Sequence, residues 1–358
     1  MDICYDFYYR LICKDESEYP KLKICYSLNR TCQMVTIDET DYLIYDQYLG
    51  QSINHLMLLY YSKKTSETDI LRYFHKCSAE YYYVSGQVFL ATINAVFYEV
   101  LQKDFDIHAH LDSINIMCKA GDVMMQEMFV MLHELYHWKL ARCDRKEALI
   151  EEKRKELLSK NPFAMYPHVI YPVYEFFTPE QREQERDQWL NEDSNIEEIL
   201  CDEYALKRLI GIFAFVPDTT VAEASMLAMD CFVFLNIVQD DARYMSEEEY
   251  EVRKEQVLVG MDPENPYESR ERSIADPSLR AFYFIYVTCM DVLNVKGDPE
   301  VYLYQVTKMH GKFEDKIINT AYRKYLLKIR PDVDKKIDEI MMSEDVEKYY
   351  EYIPKWGT

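Results

Sequence analysis

Apolar positions recur every three or four residues over most of this chain and alternate with polar ones only near its start. Residues 23–28 (KICYSL) and 31–37 (TCQMVTI) flank Asn29-Arg30, a pattern that predicts a tight hairpin within a β segment from Asp2 to about Asp38. Past it, apolar and tyrosine positions at helical spacing predict helices over about 41–61, 67–83 and 87–103. His55 and His75 on these helices read as ordinary core or surface histidines. A strongly apolar helix follows, with Gly121-Asp122 as stop and N-cap before it and an end near Cys143. Asp144 to Glu147 and Ser194 to Glu197 each form a capping box, predicting helix starts there. Thr178-Pro179 opens a polar helix to about Leu190.

Between these lie residues 161–179, with Pro162, Pro167, Pro172, Pro179 and many aromatics, which cannot be one regular element. Residues 221–238 are apolar and of membrane length, but Glu223 and Asp230 interrupt them and basic flanks are absent. They predict a buried core helix. A charged, proline-rich loop over 260–278, a buried helix over 281–295 and amphipathic helices complete the chain. The fold class expected is mainly α (α+β), with a small N-terminal β-hairpin or sheet and additional C-terminal helices.

The chemistry concentrates in His133-Glu134-Leu135-Tyr136-His137, an HExxH inside the apolar helix. Positions i and i+4 share a helix face, so both imidazoles can reach one metal ion, and as buried groups they need partners. Neutral imidazoles hold zinc, a zinc-bound water has its pKa lowered towards ~7, and Glu134 stands where it can take that proton. A catalytic zinc has three protein ligands and one open position. The next candidate helix carries Glu198 and Asp202, again i and i+4. There Glu198 can serve as third ligand while Asp202 accepts the free N–H of a ligating histidine.

These two motifs resemble the gluzincin metallopeptidases, in which HExxH is followed by a helix carrying ExxxD or ExxAN. The run from Glu198 to Ala205 is most similar to the second motif of ImmA/IrrE-type regulatory peptidases, and also to the ExxAD of HtpX-like peptidases. Tyr136 stands where ImmA-type sequences have glycine, and Asp202 where they have asparagine. The segment Ile274 to Arg280 is similar to the HPxxxR segment of some HtpX-like and phage-exclusion (Lit-type) peptidases, with Asp276 in place of the histidine. The resemblance implies a zincin-like core, zinc as cofactor, ligands His133, His137 and Glu198, and Glu134 as base. It covers only the two helices. Residues 1–216 would form the catalytic domain, with an insertion at 144–193. Residues 217–358 would be a helical C-terminal region, or part of the same domain.

Peptide hydrolysis also needs a donor aimed at the developing oxyanion. His168 and His310 are the candidates, with Tyr166, Tyr171 and Tyr174 in the insertion beside them. His108 and His110, an H-x-H, offer a second metal position. The net charge of −22 repels phosphate backbones and argues against a nucleic-acid partner. Ten cysteines without a CxxC pair argue against a zinc ribbon or a disulfide scaffold, and residues 1–6 lack the pattern of a signal peptide. The setting expected is cytoplasmic, with no membrane span. The function expected is zinc-dependent hydrolysis of peptide bonds in a protein or peptide substrate, Glu134 activating a zinc-bound water. The alternatives are a zincin-scaffold regulatory or interaction protein, latent or inactive, and zinc hydrolysis of a non-peptide amide.

Overall fold

The computed structural model describes residues 8–13, 19–62, 67–102, 116–165, 179–243, 279–297, 302, 331–333 and 335–339. They are mostly helical, with one three-stranded sheet. The chain forms two compact units: Met1–Leu58, Asn115–Phe232 and Asp276–Lys312 make the first, and Leu59–Ile114, Val233–Ala275 and Phe313–Thr358 the second. Among the described residues no helix is long and apolar enough to cross a membrane.

In the first unit, strands β1 (Lys21–Cys25), β2 (Cys32–Ile37) and β3 (Thr40–Asp46) lie in the order β1-β3-β2. This corrects the expected hairpin at Asn29-Arg30. β1 and β2 do not pair; β3 lies between them, parallel to β1 and antiparallel to β2. The tight turn is Asp38-Glu39, whose positive φ values of 46° and 61° suit a two-residue hairpin. Asn29-Arg30 instead belongs to a loop closed by the buried Asp46 carboxylate. That carboxylate accepts from the Ser27 hydroxyl (2.6 Å) and the backbone N–H groups of Ser27, Arg30 and Tyr48 (3.0, 2.9 and 3.0 Å). The Tyr48 bond also caps α1 (Gln47–Tyr61). Residues 41–46 are therefore strand, not the start of the helix expected at 41. The two tyrosines and Ile44 there fit a half-buried pleat, and Leu43 and Tyr45 point into the core.

The long helix α4 (Ile116–Ala141) runs straight through Gly121-Asp122, where a stop was expected. One glycine in a helix interior costs only about 1 kcal/mol. Burial of Met128, Phe129, Met131, Leu132, Leu135 and Leu140 contributes roughly 1.5–3 kcal/mol for each side chain, which decides the matter. Next come α5 (Lys146–Ser159), α6 (Pro162–Met165), α7 (Pro179–Asn191) and α8 (Asp193–Ile212). The two capping boxes do not form: Arg145 and Glu192 are the N-cap residues, and neither makes a side-chain cap bond. α7 does begin at Pro179, and α9 (Asp218–Arg243) holds the apolar 221–238 run as a buried helix. A helical segment over 279–292, with a π-helical turn at Phe284–Thr288, is buried as expected. α4 packs on β2, β3 and α8, and Phe129 meets Phe284 edge-on at 5.4 Å.

The second unit contains α2 (Glu67–Val84) and α3 (Val88–Gln102), packed together across a turn where Gly86 takes a φ of 76°. His75 is a core histidine there. It stacks on Phe97 (4.6 Å) and its Nδ1 is 2.9 Å from Asn94 Oδ1.

Candidate metal centre

Helical spacing places His133 and His137 on one face of α4, and Glu198 and Asp202 on one face of α8. Packing brings the two faces together. Tyr136 stacks on Tyr204 of α8 at 4.3 Å, and Lys139 donates to the Tyr204 hydroxyl at 2.8 Å. Lys153 of α5 bonds Glu203 at 2.5 Å, and Lys146 pairs with Glu197, bracing α8 from its other side. Tyr136 is thus half of the aromatic contact between the two helices.

Three donor groups converge. His133 Nε2 and His137 Nε2 are 3.1 Å apart; Glu198 Oε2 is 3.1 Å from the first and Glu198 Oε1 3.2 Å from the second. Behind them, Asp202 Oδ1 lies 2.9 Å from His133 Nδ1. An ionised carboxylate only accepts, so this contact puts a proton on Nδ1 and turns Nε2 towards the other donors. The His133 and Asp202 side chains are 4 % and 0 % exposed, against 26 % for His137 and 32 % for Glu198, so the centre opens on the His137–Glu198 side. Cys201, fully buried on α8, is a further candidate: its Sγ and the two imidazole nitrogens lie within 4.8 Å of one another. Glu198 sets one carboxylate oxygen 3.1 Å from His133 Nε2 and the other 3.2 Å from His137 Nε2. Burial, with Glu198 and Asp202 close by, pushes the Cys201 thiol well up while no cation is present.

In sequence Arg280 stands out only as part of a motif likeness. It enters from the segment 279–292 and spans both carboxylates. Its Nη1 lies 2.5 Å from Glu198 Oε2, while Nη2 and Nε grip Asp202 at 2.7 and 2.9 Å. The charges act on one another. Burial alone would raise Glu198, but Arg280 and the two histidines outweigh it and hold its carboxyl well below the usual range. Asp202 is lowered the same way, with burial opposed by Arg280 and His133. Burial would lower His133, yet its bonds to Asp202 and Glu198 raise it to about 9. Glu134 goes in the other direction. Burial, with Glu198 adding, raises its carboxyl against the pull of the histidines and Arg280.

Strand β2 runs beside this glutamate. Burial first, and then the Glu134 charge, push the Cys32 thiol well up, which places Cys32 in Glu134's electrostatic reach. Asp41, at the start of β3, holds the hairpin against α4: it accepts from Trp138 Nε1 (2.9 Å), Arg142 (2.7 Å) and Thr36 (2.7 Å).

His168, His310, Tyr166, Tyr171, Tyr174, His108, His110 and Asp276 lie outside the described residues. Comparison of the chain with protein-family models, with curated proteins and with solved structures returns no match.

Proposed function

We propose that the chain is a zinc-dependent metallopeptidase with a zincin-like core, in which His133, His137 and Glu198 hold zinc and Glu134 is the base. The observation that carries this reading is the convergence of the two imidazole nitrogens and the Glu198 carboxylate. Tetrahedral zinc with bonds of ~2.0–2.1 Å separates its ligand atoms by roughly 3.3–3.4 Å. His133 Nε2 and His137 Nε2 are 3.1 Å apart and each faces a different Glu198 oxygen, Oε2 at 3.1 Å and Oε1 at 3.2 Å, so the three groups can close around that ion with small adjustments. When bound, zinc lowers the pKa of a water towards ~7 and polarises a carbonyl oxygen. Glu134 accepts the proton of the attacking water at its carboxylate and passes it to the leaving amine. Asp202 keeps the His133 ring turned so that Nε2 faces the other donors.

The β2 edge supports an extended substrate. β2 ends the sheet order and lies along α4 near Glu134, so a peptide joined to that edge by backbone hydrogen bonds would pass the base. The charge of −22 favours basic or neutral substrates. A reducing, cytoplasmic setting suits the described cysteines, all free thiols. The second reading, a zincin-type scaffold that is latent or serves protein contacts, draws on the Arg280–Glu198 ion pair, which occupies the third donor.

Incubation with an unfolded protein substrate tests the proposal. Cleavage is expected to stop on chelation and to fall roughly 100- to 10,000-fold in Glu134→Gln, which keeps its zinc. A zinc-loaded native chain that cleaves nothing Glu134→Gln does not also cleave would overturn it.

A further inference from the structure

Arg280 stands against the same atoms a metal would use. Its Nη1 pairs with Glu198 Oε2, the oxygen that also faces His133 Nε2, and its Nη2 is 3.5 Å from that nitrogen. The side chain is only 17 % exposed and satisfies both oxygens of the fully buried Asp202. Buried carboxylates need a compensating cation. Without one, Glu134, Glu198 and Asp202 would meet as like charges. A divalent ion between the two imidazoles and Glu198 would in turn lie beside the guanidinium and draw on the same Glu198 oxygens, and two cations at that range repel.

We propose that Arg280 is a charge placeholder: it holds Glu198 and Asp202 in register while the centre is metal-free and competes with the metal for Glu198, so that loading pulls Oε2 away from Nη1. The proposal rests on the zinc reading above. It assigns Arg280 a positioning role, and linkage fixes its sign. Whatever favours the metal-free fold over the loaded one weakens metal affinity by the same factor. Removing Arg280 should therefore destabilise the metal-free chain and tighten zinc binding. A merely structural arginine would leave the affinity unchanged. One that only prearranged the ligands would, when removed, weaken it.

The experiment measures zinc affinity, by competition with a chromogenic chelator, and zinc-free thermal stability for the full-length native chain, Arg280→Lys and Arg280→Gln. The expected order of affinity is native, then Arg280→Lys, then Arg280→Gln, the last tighter than native by roughly tenfold or more. Zinc-free melting temperature should fall in the same order. Arg280→Gln that folds only with zinc also supports the proposal. Should it fold under neither condition, Arg280→Lys carries the test, because a lysine keeps the charge but makes a weaker grip than the guanidinium fork. Equal or weaker zinc binding in the folded variants overturns the placeholder role while leaving the zinc centre standing. A native chain without zinc overturns both.

Discussion

Asp202 Oδ1 lies 2.9 Å from His133 Nδ1, wholly shielded from water, and the same carboxylate is held at both oxygens by Arg280. The ring of His133 is thereby oriented before any ligand arrives. Carboxylates placed behind metal-binding histidines influence affinity as strongly as many direct contacts do. Asp202→Asn should weaken zinc binding by roughly 10- to 100-fold. Competition against a chelator on the folded variant checks this; unchanged affinity would remove Asp202 from the centre's support.

The third donor can be assigned by separating two neighbours on one helix. Glu198 sets an oxygen against each imidazole, at 3.1 and 3.2 Å, so Cys201→Ser should keep zinc within about threefold of native affinity, while Glu198→Ala loses it. Zinc kept in Glu198→Ala and lost in Cys201→Ser would hand the position to the thiol.

Gly50 on α1 sits under the bond between the Tyr45 hydroxyl and Glu127 Oε1, which is 2.7 Å long. A Cβ added there would fall 2.9 Å from the Tyr45 oxygen and closer still to Glu127, well inside contact distance. Glu127 belongs to α4, so the clash transmits to the helix that carries both histidines. Gly50→Ala should cost about 1–3 kcal/mol and lower the melting temperature by several degrees. A melting temperature equal to native would show that Glu127 moves aside freely.

Acid should loosen α8. Burial alone would raise Glu203, but Lys153 and Lys207 outweigh it and hold its carboxyl below the ordinary 4.5. A carboxyl lowered on folding stabilises the fold above its unfolded value and loses that contribution as pH falls through the folded value. Native stability should thus decline on acidification below about pH 4.5. Glu203→Gln should melt lower at pH 7 and show a shallower decline between about pH 5 and pH 3, by circular dichroism. Parallel declines would mean that Glu203 contributes nothing to the acid response.

What could be read from sequence was the chemistry written at short spacing. His133 with His137, and Glu198 with Asp202, depend only on helical periodicity, and both pairs lie on the helices expected for them. Pairing between distant segments was harder. Residues 41–46 read as helix in sequence because Tyr42, Tyr45 and the apolar positions after them continue a three-and-four spacing. Only the positive φ at Asp38 and Glu39, at two residues that are not glycine, marks the true hairpin. Arg280 is 78 positions from Asp202, and no periodicity encodes a salt bridge over that distance; its sole signal is the Asp276-Pro277-Ser278-Leu279-Arg280 likeness, which has two residues between proline and arginine where HPxxxR has three. Ser194 failed as a cap because Asp193, paired with Arg154 of α5, already stands inside the helix.

The most direct measurement is the zinc content, by elemental analysis, of the purified native chain beside His137→Ala and Glu198→Ala. One zinc per native chain, lost in both variants, is the expected result. A native chain that takes up no zinc even on reconstitution would contradict the metallopeptidase assignment at its root.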